Sequence, residues 1–228
     1  AGTGSGKTLG FVIPALVDAV IDNWAMMQAD RGRRRWSQLL LYPRVDLAVD
    51  QWNNMKGIVK SIRNVAESRD DDFHGVSIKA LVPTFQADTA SYLKWTKEGG
   101  IKRTDSIFPH IKRHYYGEGG RASQIIIAGL ESFRGRMFNE SVSKAIRGSL
   151  HRVVLDEIHL SEGMTGAHHA GLMRRLRSMA SQELKFIGCS ATIARPKRHV
   201  AKIWLSDDQK AEDVELIQPR TESSDAEP

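Results

Sequence analysis

The sequence predicts an α/β domain of three layers, with helices on both faces of a mostly parallel sheet. Three observations carry this expectation. A glycine-rich turn at the start runs straight into a helical pattern, short apolar runs alternate with amphipathic stretches along the chain, and the run RVVL at 152–155 ends on the carboxylates Asp156 and Glu157. An apolar run with no polar alternation suits a strand buried on both faces, and the carboxyl ends of such strands are where α/β folds assemble their sites.

The first element is AGTGSGKT, residues 1–8. Gly2, Gly4 and Gly6 allow a tight turn whose amide hydrogens, with those of Thr3 and Ser5, can face phosphate oxygens; Lys7 supplies a cation and Thr8 a magnesium ligand. Ala1 stands where the general Gly-x-x-x-x-Gly-Lys-Thr pattern has its first glycine. Its methyl group is small enough for the turn. A glycine-rich turn that merely precedes a helix is the competing reading.

Residues 7 to about 29 read as a helix with an apolar face of Leu9, Val12, Ile13, Leu16, Val17 and Val20, bent at Pro14. Arg31, Arg33, Arg34 and Arg35 form a basic connection, either solvated or touching phosphate. Gln38–Tyr42 is an apolar strand stopped by Pro43, followed by a helix from 45 to about 65. Residues 76–82 give a further strand candidate before Pro83. From 84 to 123 the pattern is irregular, with glycine pairs and Pro109, and reads as an elaborated surface connection. Residues 125–128, 153–155 and 185–188 are strands, and 172–179 belongs to a helix between the last two. The domain spans 1–216, and 217–228 is a polar tail or linker.

At 228 residues and 41% hydrophobic, the chain can build a sizeable core. A formal charge of +6 favours a polyanionic partner without establishing one. The single cysteine, Cys189, excludes an internal disulfide framework and a cysteine-cluster zinc site, and suits a reducing cytoplasm. No stretch approaches the roughly 20 apolar residues needed to span a membrane.

The carboxylates admit two readings. In one, Asp156 positions magnesium and Glu157 orients or deprotonates an attacking water. In the other they form an acidic strand-to-helix turn, with Asp156 as a local cap. His159, His168 and His169 have ordinary structural readings as well.

AGTGSGKT, DEIH at 156–159 and SAT at 190–192 resemble motifs I, II and III of the superfamily 2 DExH-box (DEAD/DEAH-like) helicases. YPRVDLAVDQ at 42–51 is similar to motif Ia of their DNA-directed branches, and 125–137 resembles the strand and helix start before the DExH motif. Within the superfamily the chain most resembles the large helicase-related bacterial group. The resemblance implies the amino-terminal motor domain of a helicase or translocase, a RecA-like P-loop NTPase fold truncated before its first strand, using ATP and Mg2+. It also implies catalytic roles for Lys7, Asp156, Glu157 and His159, with Thr8 and Asp156 on the metal. Ser190, Ala191 and Thr192, with His159, would couple nucleotide state to domain movement. Arg44, Asp50, Gln51, Ser132, Arg134 and Arg136 would face nucleic acid, DNA rather than RNA, and a second RecA-like domain would complete the motor.

Two other classes share the phosphate loop: a switch ATPase binding a protein partner, and a small-molecule kinase. Oligomeric state is open.

Overall fold

The computed structural model describes residues 7–29, 36–69, 71–87, 94–95, 101–102, 123–190, 193–205 and 210–217. Side chains at 7, 87, 94–95 and 101–102 fall outside the description, as do residues 1–6, the arginines at 31–35, most of 84–123 and the tail from 218.

Helix α1, Lys7–Gln28, leads into strand β1, Gln38–Tyr42, and helix α2, Val45–Glu67. A two-stranded hairpin follows, β2 at Asp72–Phe73 and β3 at Val76–Ser77, then the single turn α3, Ile78–Leu81, and strand β4, Phe85–Ala87. A second hairpin, β5 at Lys94–Trp95 and β6 at Ile101–Lys102, stands apart from the main sheet. Next come β7, Ile125–Gly129, and helices α4, Leu130–Arg136, and α5, Glu140–Ser149. Strand β8, Arg152–Leu155, leads through a 3-10 turn at Ile158–Leu160 into α6, Gly163–Met179. Strand β9, Lys185–Gly188, and α7, Pro196–Trp204, complete the core.

Five strands form a parallel sheet in the order β4-β7-β1-β8-β9. Side chains alternate between its faces. Leu39, Leu41, Ile126, Ala128, Val153 and Leu155 point to one layer, filled from α4, α5, α6 and α7. Leu40, Tyr42, Ile125, Ile127 and Val154 point to the other, covered by α1 and α2. This is the expected three-layer α/β fold, with strands β1, β7 and β8 buried along their whole length.

Four expectations need correction. The buried face of α1 is Phe11, Val12, Ala15, Leu16 and Ala19, whereas Leu9, Ile13 and Val17 are about half exposed. An apolar stripe wider than one helix face cannot all turn inward. The same helix corrects the membrane expectation: Thr8–Gln28, with a mean hydropathy of 1.4, is long and apolar enough to cross one by length and composition. Here it packs on the sheet.

Residues 76–82 are not one strand. His74 and Gly75, at φ 49° and 77°, turn the chain into the β2-β3 hairpin, and Ile78 starts α3. Finally, β4 lies inside the stretch assigned to a surface connection, yet it is an edge strand of the main sheet paired with β7. Pro14 lies within α1, which continues past it to Gln28.

Candidate nucleotide site and nucleic-acid interface

The middle of helix α1 meets the amino ends of the strands it covers. Gln38, at the start of β1, donates its side-chain amide to the Ala15 carbonyl at 2.8 Å, and Gln124, just before β7, donates to the Ala19 carbonyl at 2.8 Å. Arg152, which opens β8, pairs with Asp18. These contacts tie the middle of α1 to the amino ends of the strands. Phe11 and Val12, nearer the start of α1, belong to the buried cluster that holds Tyr42 and Val154, and Cys189 packs against it.

Backbone bonds extend the sheet register into this site. The Asp156 amide donates to the Leu41 carbonyl at 3.0 Å, the Cys189 amide to the Leu155 carbonyl at 3.0 Å, and the Ile158 amide to the Cys189 carbonyl at 2.9 Å. By alternation, Tyr42, Asp156 and Cys189 form a row on the face that α1 covers. Glu157 then turns through a left-handed conformation at φ 48°, a region non-glycine residues rarely occupy and one that collects at functional sites. The Asp156 Oδ1 accepts from the Glu157 amide at 2.9 Å, which fixes one carboxylate oxygen inside the turn.

His159 connects the two motifs at this end of the sheet. Its Nδ1 lies 3.1 Å from Glu157 Oε2 and 3.2 Å from Ser190 Oγ. The turn is held from behind by α7: His199 Nε2 donates to the Ile158 carbonyl at 2.9 Å, and the Ile158 side chain is buried. A Cβ at Gly188 would stand 2.7 Å from the Trp204 ring and 3.1 Å from Ile158, so only glycine lets β9 pass so close beneath the turn.

Burial governs the titrating groups here. It raises the Tyr42 phenol well above its usual value, and the nearby Asp156 carboxylate and Cys189 thiol add to the rise. Burial, with Asp156 and Glu157 alongside, pushes Cys189 up to about 12.

The described groups fit a magnesium nucleotide. The first turn of α1 carries no acidic side chain, which leaves its positive end receptive to phosphate. Asp156 and Thr8 are oxygen donors suited to magnesium, and no cluster of three His, Cys, Asp or Glu occurs among the described residues. Magnesium in such sites takes one or two carboxylates and completes its shell with water and phosphate. Gly2, Thr3, Gly4, Ser5, Gly6, Ala191 and Thr192 lie outside the described residues, as does the Lys7 side chain.

The residues assigned to nucleic acid follow the carboxyl ends of two neighbouring strands, β1 and β7. Arg44 is exposed but committed to Asp46, with Nε 3.1 Å from Oδ1, and that hydrogen bond lowers the Asp46 carboxyl. Asp50 is exposed and Gln51 half-buried on α2. Trp52 packs against the core with Lys56 Nζ 3.8 Å over its ring, an arrangement that occupies one aromatic face. Ser132 is half-buried, and Arg134 pairs with Glu131 at 3.0 Å. Burial lowers the Arg136 guanidinium to about 10. Of the six residues, Arg44 and Arg134 are tied to neighbouring carboxylates.

Sequence reasoning passed over Tyr42, Cys189 and His199. The first two were legible as strand-end neighbours of the carboxylates once the register is known; His199 carried no local signal.

The sequence matches the DEAD/DEAH box helicase family over residues 1–200. The chain belongs to that family. It is 26% identical over 212 residues to the ATP-dependent helicase hrq1 of Schizosaccharomyces pombe, covering 91% of this chain and 16% of that protein. It is 26% identical over 199 residues to the uncharacterized ATP-dependent helicase YprA of Bacillus subtilis, covering 86% of this chain and 20% of that protein. Among solved structures, it resembles the DUF1998 helicase MrfA bound to DNA with a TM-score of 0.53 at 21% identity, over 88% of this chain and 22% of MrfA. It resembles Mss116p bound to ssRNA and AMP-PNP with a TM-score of 0.55 at 17% identity, over 90% of this chain and 33% of Mss116p. These likenesses confirm the RecA-like fold. The chain thus spans a fifth or less of the two curated relatives.

Proposed function

We propose that residues 1–216 form the first motor domain of an ATP-dependent DNA helicase or translocase, completed by a second RecA-like domain. The observation that carries this reading is the His159 bridge. One imidazole nitrogen touches both Glu157, the residue assigned to activate water, and Ser190, on the segment that follows the neighbouring strand. Such a link lets a change at the γ-phosphate reach the segment after β9.

In this reading bound ATP and magnesium supply the scissile phosphoanhydride and the charge that neutralises it. Lys7 and the amides of the loop before α1 hold phosphate, Thr8 and Asp156 hold the metal, and Glu157 takes the proton of the attacking water. Ser190, Ala191 and Thr192 transmit the nucleotide state. DNA is favoured over RNA by the YPRVDLAVDQ segment, and Arg44, Asp50, Gln51, Ser132, Arg134 and Arg136 are proposed for that face. Arg44 and Arg134 keep further N–H donors for phosphate while paired with Asp46 and Glu131.

The deciding experiment is ATPase activity of the complete protein with and without single-stranded DNA or RNA. Strong stimulation by DNA supports the motor; no response selects a nucleotide switch, and phosphate transfer to a metabolite selects a kinase. Lys7→Ala should lower both nucleotide binding and turnover.

A further inference from the structure

Tyr42 is 1% exposed, and its hydroxyl has no hydrogen-bond partner among the described residues. A buried hydroxyl left unpaired is unfavourable, and phenylalanine would fill the same space without that cost. Tyr42 ends β1 beside Asp156 on the next strand, and both belong to the row that faces α1. Register requires this: Leu41 pairs with Leu155, and the Asp156 amide bonds to the Leu41 carbonyl.

A phenol that stays protonated is a donor, and a carboxylate only accepts. Cys189, the other residue of the row, offers only sulfur, a weak acceptor. The acceptor that suits this donor is the carboxylate.

We propose that the Tyr42 hydroxyl donates a hydrogen bond to Asp156 when nucleotide and magnesium are bound, making Tyr42 a positioning residue for the carboxylate end of the site. The proposal rests on the ATPase reading above. Asp156 is then gripped from two sides, by the Glu157 amide on one oxygen and by a phenol from the adjacent strand, and turns with the sheet instead of with its own loop.

The test uses the complete protein as wild type and as Tyr42→Phe, read by thermal melting with and without a magnesium-bound non-hydrolysable ATP analogue, and by the magnesium dependence of ATPase activity. Without ligand, Tyr42→Phe should melt no lower than wild type. Its ligand-induced rise in melting temperature should be smaller, and half-maximal turnover should need about tenfold more magnesium, the scale of a lost hydrogen bond to a charged group. An unchanged ligand-induced rise together with unchanged magnesium dependence overturns the proposal. So does a lower unliganded melting temperature with a normal ligand response, which would mark a purely structural hydroxyl. Wild type that shows no response to the magnesium nucleotide removes the ATPase reading itself, and the proposal with it, before the variant is compared.

Discussion

At the amino ends of the strands, Gln38, Gln124 and Asn23 each give a side-chain amide to a backbone carbonyl, and Arg152 pairs with Asp18. At the carboxyl ends, the buried Tyr42 hydroxyl has no partner among the described residues and Glu157 holds a left-handed backbone. Both ends belong to one sheet under one helix, so the difference is not one of burial. Both ends hold a buried polar atom without a partner among the described residues, Asn23 Oδ1 and Arg152 Nε at one and the Tyr42 hydroxyl at the other. What separates them is the backbone: the left-handed turn lies at the carboxyl ends, where strain is expected when function and stability divide between two ends of a fold.

Substitutions can break or sharpen this division. The largest effect should come from Glu157→Gln in the complete protein: turnover should fall about 10²- to 10⁴-fold while nucleotide binding persists, measured by paired turnover and binding assays. Equal loss of both would remove Glu157 from the chemical step. At the opposite end, Asp18→Ala strips the partner from Arg152, whose side chain is 10% exposed, and should lower stability by about 2–3 kcal/mol in denaturant titrations. Turnover per folded molecule should not change. Gln124→Leu deletes the amide that bonds Ala19 and should lower stability by about 1–2 kcal/mol, again without an effect on magnesium dependence.

The smallest effect concerns Cys189. With its folded value raised to about 12 from an ordinary 9.0, the thiol stays neutral at pH 8. Alkylation in the native protein should be at least about a hundredfold slower than in urea. Because the folded value lies above the unfolded one, stability linked to this thiol is complete below pH 9.0 and declines as pH rises toward 12. A melting temperature that stays flat across that window in wild type, or that falls equally in Cys189→Ala, would show that the thiol does not drive the decline.

Much of this fold is readable from the chain because three of its strands are buried on both faces. Gln38–Tyr42, Ile125–Gly129 and Arg152–Leu155 are apolar runs that no other element would use. Strand β4 escaped because Phe85-Gln86-Ala87 is three residues long, sits at the sheet edge and offers one large apolar side chain. Residues 76–82 misled because Val76, Ile78, Ala80 and Val82 alternate with period two, while the tight turn at His74 and Gly75 sets the local geometry. Helix α5 was overlooked although it carries its own signal: Asn139 caps Ser141, and Val142, Ala145 and Ile146 recur at helical spacing. At the site, the carboxylates were legible because they end a strand. Tyr42 was not, because an aromatic residue closing an apolar run looks like core until the neighbouring strand is known.

The left-handed turn at Glu157 carries a consequence for laboratory evolution. Glycine adopts φ 48° freely, so Glu157→Gly relieves the backbone there and is expected to fold at least as well as wild type. A library selected only for heat resistance would therefore drift toward discarding the side chain assigned to hydrolysis. Thermostabilising this domain calls for selection on ATP turnover at every round, with position 157 held fixed.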